Sequence, residues 1–167
     1  HELCRGPSHW ASKIALDKWL ENSGIPAIER VDTRMLTKKI RIYGVMLGIL
    51  GVYERRDTPN FNELLKEVKR IPDPNKTDLV AEVATKKIQK LDLKGKHHVV
   101  LVDCGVKKNI IRSLVNRKLN VTVVPPKTSA EQILEMDPNG ILLSNGPGDP
   151  KMVPYVVETA RELIQTD

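Results

Sequence analysis

The stretch His98-Val99-Val100-Leu101-Val102-Asp103-Cys104-Gly105 decides the fold. His98–Val102 reads as a continuous apolar run with no alternation, the pattern of a strand buried on both faces. Asp103-Cys104-Gly105 then turns the chain into a helix that carries Ile110, Ile111, Leu114 and Val115 on one side. Working outward, Leu119–Val124 is a second buried strand, ended by Pro125-Pro126. Thr128-Ser129-Ala130-Glu131-Gln132 has the pattern of a capping box and starts a short helix through Leu134. Ile141-Leu142-Leu143 is a third strand, and after the loop Ser144–Pro150 a last helix runs from about Val153 to Ile164. Strand, helix, strand, helix, strand, loop, helix is the first half of a doubly wound, mostly parallel α/β sheet, here occupying 96–167.

Upstream, residues 1–93 have a different grammar. Trp10, Ile14, Leu16, Trp19 and Leu20 recur at helical spacing until Gly24 and Pro26, and a short strand through Ala27-Ile28 follows. Asp32 is placed to N-cap a helix that turns Met35, Leu36 and Ile40 inward and closes at Gly44. Met46–Tyr53 is strand-like, with Gly48 and Gly51 inviting a bulge. Phe61, Leu64, Leu65 and Val68 suit an amphipathic helix, and Leu79–Val83 a short strand. The Lys-rich stretch from Lys86 to Lys96 reads as a polar connector between two lobes.

Composition narrows the function. The net charge of +6 comes from small scattered groups such as Lys38-Lys39 and Lys107-Lys108, with acidic residues between them. With one Phe and three Tyr there is little from which to build a base-stacking platform, which argues against nucleic acid. No run reaches the length of a membrane span, and the first residues have no apolar signal core, so the expected location is cytoplasmic. Cys4 and Cys104 stand 100 positions apart and form neither a metal-ligand nor a disulfide pattern.

Ligands of open parallel sheets bind at the carboxyl ends of the strands. Two such ends are visible, Asp103-Cys104-Gly105 and Ser144-Asn145-Gly146-Pro147-Gly148-Asp149-Pro150. Gly146 and Gly148 lack β-carbons, so a ligand can approach the main chain closely. Backbone N–H groups displayed in this way can hold a carboxylate or stabilise an oxyanion. The same Gly-Pro-Gly run also reads simply as a tight turn.

Leu143–Pro150 resembles the glutamine-site loop of class I glutamine amidotransferases, and more narrowly its form in the carbamoyl-phosphate synthetase small-subunit family. Three further stretches are similar to the same family: Cys4–Trp10, Val31–Arg41 and Val102–Ile110, all in the family's order. The resemblance implies that 1–93 is the C-terminal part of a smaller α/β N-terminal domain and that 96–167 is the N-terminal half of an amidotransferase domain. It further implies hydrolysis of L-glutamine to glutamate and ammonia. The ammonia would pass to a large subunit that uses ATP, bicarbonate and Mg to build carbamoyl phosphate, for arginine or pyrimidine synthesis. No cofactor and no metal are expected on the small subunit itself. Carried over by position, Gly146 and Gly148 would contact glutamine. The family's cysteine nucleophile, histidine and acidic partner are expected beyond Asp167, so that no catalytic residue lies within these 167 residues and the chain alone would be inactive.

Rival readings attach to several residues. Cys104 sits at a strand end before a helix whose N-terminal dipole, with Lys107 and Lys108, would lower a thiol pKa; the simpler reading is a small residue packed at a turn. His97 and His98 open the first strand at the end away from the ligand edge. His9 is placed to cap or to pack beside Trp10, and Trp10 and Trp19 read as core or inter-lobe contacts. Asp32-Thr33-Arg34 reads as a capped helix start with a solvent-facing arginine. Other glutaminase domains, such as those serving anthranilate or GMP synthesis, lack the Asp-Thr-Arg stretch in front. A non-catalytic amidotransferase-like module, binding a partner or a small anion through the Gly-Pro-Gly loop, is the alternative of a different class.

Overall fold

A computed structural model describes residues 2–4, 6–54, 56–91 and 94–166. Packing divides the chain into two compact units, His1–Thr58 and Pro59–Asp167. The sequence divides instead at 93–96, where composition changes; the packing of the second unit takes in the segment upstream of that point. Leu93 lies outside the described residues.

The second unit is built on four strands: β1 (Gln89–Leu91), β2 (His98–Val102), β3 (Asn120–Val124) and β4 (Gly140–Leu143). Their spatial order is β1-β3-β2-β4, with β2 parallel to both β3 and β4 and β1 antiparallel to β3 at the edge. From β2 the chain moves to one side for β3 and then crosses back to the other side for β4. That reversal is the topological switch point of a doubly wound sheet, and it lies between the carboxyl ends of β2 and β4.

Side chains alternate through the sheet into two cores. Leu101, Val121 and Val123 face α5 (Lys108–Asn116), where Ile110, Ile111 and Leu114 pack on them. Val100, Val102 and Val124 face the other way, with Ile133 of α6 (Ala130–Leu134) and Val156 of α7 (Pro154–Ile164). The Ser129 hydroxyl and the Gln132 side chain close the expected capping box on α6.

Two readings of the second unit are corrected. Leu79–Val83, expected as a strand, is the helix α4; the Asp78 carboxylate accepts from Ala81 N–H at 2.9 Å and starts it. Val80 and Ala84, one helical turn apart, are buried in the same core as Val100 and Val102. The polar connector contains β1: its three residues are exposed, and backbone pairing with β3 makes it a strand where no apolar pattern announced one. The helix expected from Phe61 is present as α3 (Phe61–Val68).

The first unit contains α1 (Leu16–Asn22) and α2 (Thr33–Tyr43). Asp32 caps α2 through Met35 N–H at 2.9 Å, and Gly44, at φ 81°, closes it. Met35, Leu36 and Ile40 do not turn into a core: they are 49%, 43% and 42% exposed. Among the described residues of this unit none is buried, so an apolar helical stripe finds no surface on which to fold down. Trp10 is exposed and stacks on His9 at 5.7 Å, and Trp19 is half-exposed, so neither is a core residue. The helical spacing from Trp10 is realised only from Leu16 onward. Neither Ala27-Ile28 nor Met46–Tyr53 forms a strand, since the described residues of the unit offer no strand partner.

Candidate functional site

The switch point is built from two loops that touch. After β2, the buried Asp103 carboxylate organises the turn. One oxygen accepts from Gly105 N–H and Val106 N–H, both at 2.8 Å, and the other from Thr85 N–H at 2.8 Å. A carboxylate with three backbone donors replaces the water it leaves on burial. Gly105 takes φ 112°, and a β-carbon there would meet Val83 Cγ2 at 2.9 Å and Pro147 Cδ at 3.0 Å. Glycine is required at this position on both counts.

After β4, Ser144 ties the second loop to the first. Its hydroxyl accepts from Cys104 N–H at 2.9 Å and donates to the Asn145 carbonyl at 2.8 Å, and its own N–H bonds the Val102 carbonyl at 3.1 Å. Gly146 then passes beneath Cys104, where a β-carbon would stand 2.2 Å from the Cys104 carbonyl oxygen. Gly148 has a φ of 79°, which side-chain-bearing residues rarely adopt, and a β-carbon there would stand in ordinary contact with Leu79 Cδ1 at 3.7 Å. Asp149 caps the following turn of 3₁₀ helix, Pro150–Met152, through Lys151 N–H at 2.9 Å. Between these anchors Asn145–Gly148 are exposed, and no backbone hydrogen bond of the described residues uses the N–H of Gly146 or Gly148. The loop therefore presents main-chain donors in a fixed shape at the ligand end of the sheet.

The structure thus brings Gly146 and Gly148 together with Cys104 and Gly105. His98 lies at the opposite end of β2, where its Nε2 is 2.8 Å from Thr122 Oγ1. His9 and Asp32-Thr33-Arg34 belong to the first unit.

Cys104 does not have the environment of a nucleophile. It is 6% exposed, and burial pushes its thiol pKa up, with the negative charge of Asp103 adding to the effect. The rival reading, in which the α5 dipole with Lys107 and Lys108 lowers the thiol pKa, is therefore not met: the direction is upward, from burial first and Asp103 second.

The sequence places Asp103 and Ser144 at the ligand ends of the strands without giving either a role of its own, and it misses the Asp78–Tyr155 pair, in which the Tyr155 hydroxyl donates to Asp78 at 2.9 Å. For Asp103 and Ser144 there was a signal, a polar residue directly after an apolar strand. For the pair there was none, since its members are 77 positions apart. Among the described residues no group of His, Cys, Asp or Glu is arranged to hold a metal ion, and no helix is long and apolar enough to cross a membrane.

Residues 100–167 match the model of the class-I glutamine amidotransferase family, and residues 1–50 match that of the carbamoyl-phosphate synthase small chain, CPSase domain. The chain belongs to the carbamoyl-phosphate synthase small-chain family. It is 48% identical over 159 residues to a carbamoyl phosphate synthase small chain of Methanopyrus kandleri, which covers 95% of this chain and 44% of the relative. A small chain of Archaeoglobus fulgidus is 44% identical over 97% of this chain and 44% of its own length, and one of Listeria monocytogenes 47% identical over 96% and 42%. The chain thus spans less than half the length of these curated relatives. In this member of the small-chain family, the switch-point loops lie in the amidotransferase match and the capped helix α2 lies in the CPSase match. Segment 51–99, which includes α4 and β1, lies between the two.

Proposed function

We propose that the chain is part of the glutamine-hydrolysing small subunit of carbamoyl-phosphate synthase, and that Gly146 and Gly148 form one wall of its glutamine site. The observation that carries this reading is the glycine loop at the switch point: fixed by Ser144, closed onto Cys104, and presenting unused N–H groups. Main-chain donors held in place suit the carboxylate of an amino acid or the oxyanion of an amide under attack.

In this reading, chemistry belongs to a cysteine thiolate activated by a histidine, which an acidic residue orients. No residue of this chain takes those roles. Cys104, buried with a raised thiol pKa, is a packing residue. Ammonia released from L-glutamine passes to the large subunit, which handles ATP, bicarbonate and Mg, while the small subunit needs no cofactor of its own. The complex works in the cytoplasm, without nucleic acid or membrane.

The test compares glutamine hydrolysis by this chain with that of a chain extended to the relatives' length, each with the large subunit. The proposal expects ammonia release only from the longer form. Hydrolysis by the 167 residues alone would overturn the assignment of roles. An inactive longer form that still binds a partner would favour a non-catalytic module.

A further inference from the structure

Helix α4 lies in neither segment matched by a family model, yet both switch-point loops rest on it. Leu79 stands across from Gly148, its Cδ1 3.7 Å from where a β-carbon would be, and Val83 occupies the corresponding place at Gly105, at 2.9 Å. The next residue on each turn, Val80 and Ala84, is buried in the core beside Val102 and Cys104. One face of a five-residue helix therefore touches the core and both glycine turns at once.

The helix is held at both ends. At its start Asp78 uses one oxygen to cap Ala81 N–H and the other to accept the Tyr155 hydroxyl at 2.9 Å. Tyr155 belongs to the helix that follows the glycine loop. Just past its end, Thr85 N–H donates to the Asp103 carboxylate, which also shapes the Gly105 turn. A helix this short has little stability of its own, so these clamps and its packing set its position.

We infer that α4 is a positioning element of the glutamine site: clamped by Asp78–Tyr155 and Asp103–Thr85, it sets the spacing between the loops after β2 and β4. The inference rests on the glutamine-site reading. It makes Leu79, Asp78 and Tyr155 positioning residues that act on ligand binding through Gly148, without touching the ligand.

The experiment uses the full-length small chain with its large subunit and the variants Leu79→Ala, Tyr155→Phe and Asp78→Asn. Asn at 78 retains an oxygen for the Ala81 cap and offers an amide to the tyrosine oxygen, so it serves as the conservative replacement. Leu79→Ala and Tyr155→Phe should raise KM for glutamine about fivefold or more, with kcat within about twofold and ammonia-driven synthesis unchanged. Asp78→Asn should remain within about twofold of the parent in both constants. Loss of folded protein would lower apparent kcat and leave KM alone, so an unmoved KM in both test variants overturns the inference. Amide exchange of segment 144–150 gives a second readout that does not depend on what the loop binds. It should accelerate in both test variants while segment 120–124 stays protected, and unchanged exchange of the loop also overturns the inference. A parent enzyme that binds and hydrolyses no glutamine, but whose loop exchange responds to Leu79→Ala, sinks the glutamine reading and leaves the positioning role standing.

Discussion

Gly146 runs so close beneath Cys104 that a β-carbon at residue 146 would lie 2.2 Å from the Cys104 carbonyl oxygen and 3.1 Å from its Cβ. The obstacle is backbone, just after a strand whose last three residues are buried, so neither side can yield cheaply. Separation of the two loops is therefore written into a glycine.

Gly146→Ala should accordingly cost about 1–3 kcal/mol of stability, in the range of overpacked sites. It should also push the glycine loop away from Cys104 and weaken glutamine binding. Urea denaturation of the chain and glutamine titration of the full-length subunit check the two parts. A variant as stable as the parent would mean that the loops separate freely.

Asp103→Ala leaves three backbone donors without an acceptor in a buried turn. Hydrogen bonds to a charged acceptor are worth more than neutral ones, and unmet buried donors are costly; the expected loss is about 3 kcal/mol. Asp103→Asn retains one acceptor oxygen and should lose less. The denaturant midpoint should fall with its slope unchanged.

Thiol labelling separates the two cysteines. Cys4 is exposed, whereas Cys104 is buried with its thiol pKa raised, which leaves less thiolate at neutral pH. Alkylation of the native chain should give one fast and one slow phase, and Cys4→Ser should abolish the fast one. A rapidly labelled Cys104 would revive it as a nucleophile.

Tyr155 should resist ionisation. Burial, and then its hydrogen bond to the Asp78 carboxylate, push its pKa from an ordinary value near 10 up to about 12. The folded state then retains a proton that the unfolded chain gives up. Stability from this source is complete below pH 10 and is lost as pH rises through about 12. The stability of the parent should fall more steeply than that of Tyr155→Phe across that window. Parallel pH profiles would show that neither burial nor Asp78 raises the Tyr155 pKa in the folded state.

Much of the sheet unit could be read from the sequence because its signals are local. Val99–Val102 is apolar without interruption and Val121–Val124 is broken only by Thr122, and Gly105 and Pro125 punctuate them. Asp32 and Ser129 announce helices three residues ahead through bonds to Met35 and Gln132 N–H. Leu79–Val83 misled because five residues carry too little periodicity to tell a strand from a helix, although Asp78, three residues before Ala81, was a cap in plain view. Gln89–Leu91 was silent because an exposed edge strand is defined by its partner's backbone.

The glycine loop shows the same division. That residues 144–150 follow a buried strand, and that Gly146 and Gly148 open the backbone, is already present in the order of the residues. The sequence by itself therefore determined the alternation of strands and helices from β2 to α7, the caps of α2 and α6 and the place of the loop, all of which depend on neighbours a few positions apart. Only the tertiary structure decided that Ser144 holds Cys104 across 40 positions, that Asp78 meets Tyr155 across 77, and that burial raises the Cys104 thiol pKa. Contacts of that span exist only after the sheet has closed, because no local preference encodes which distant surfaces will meet.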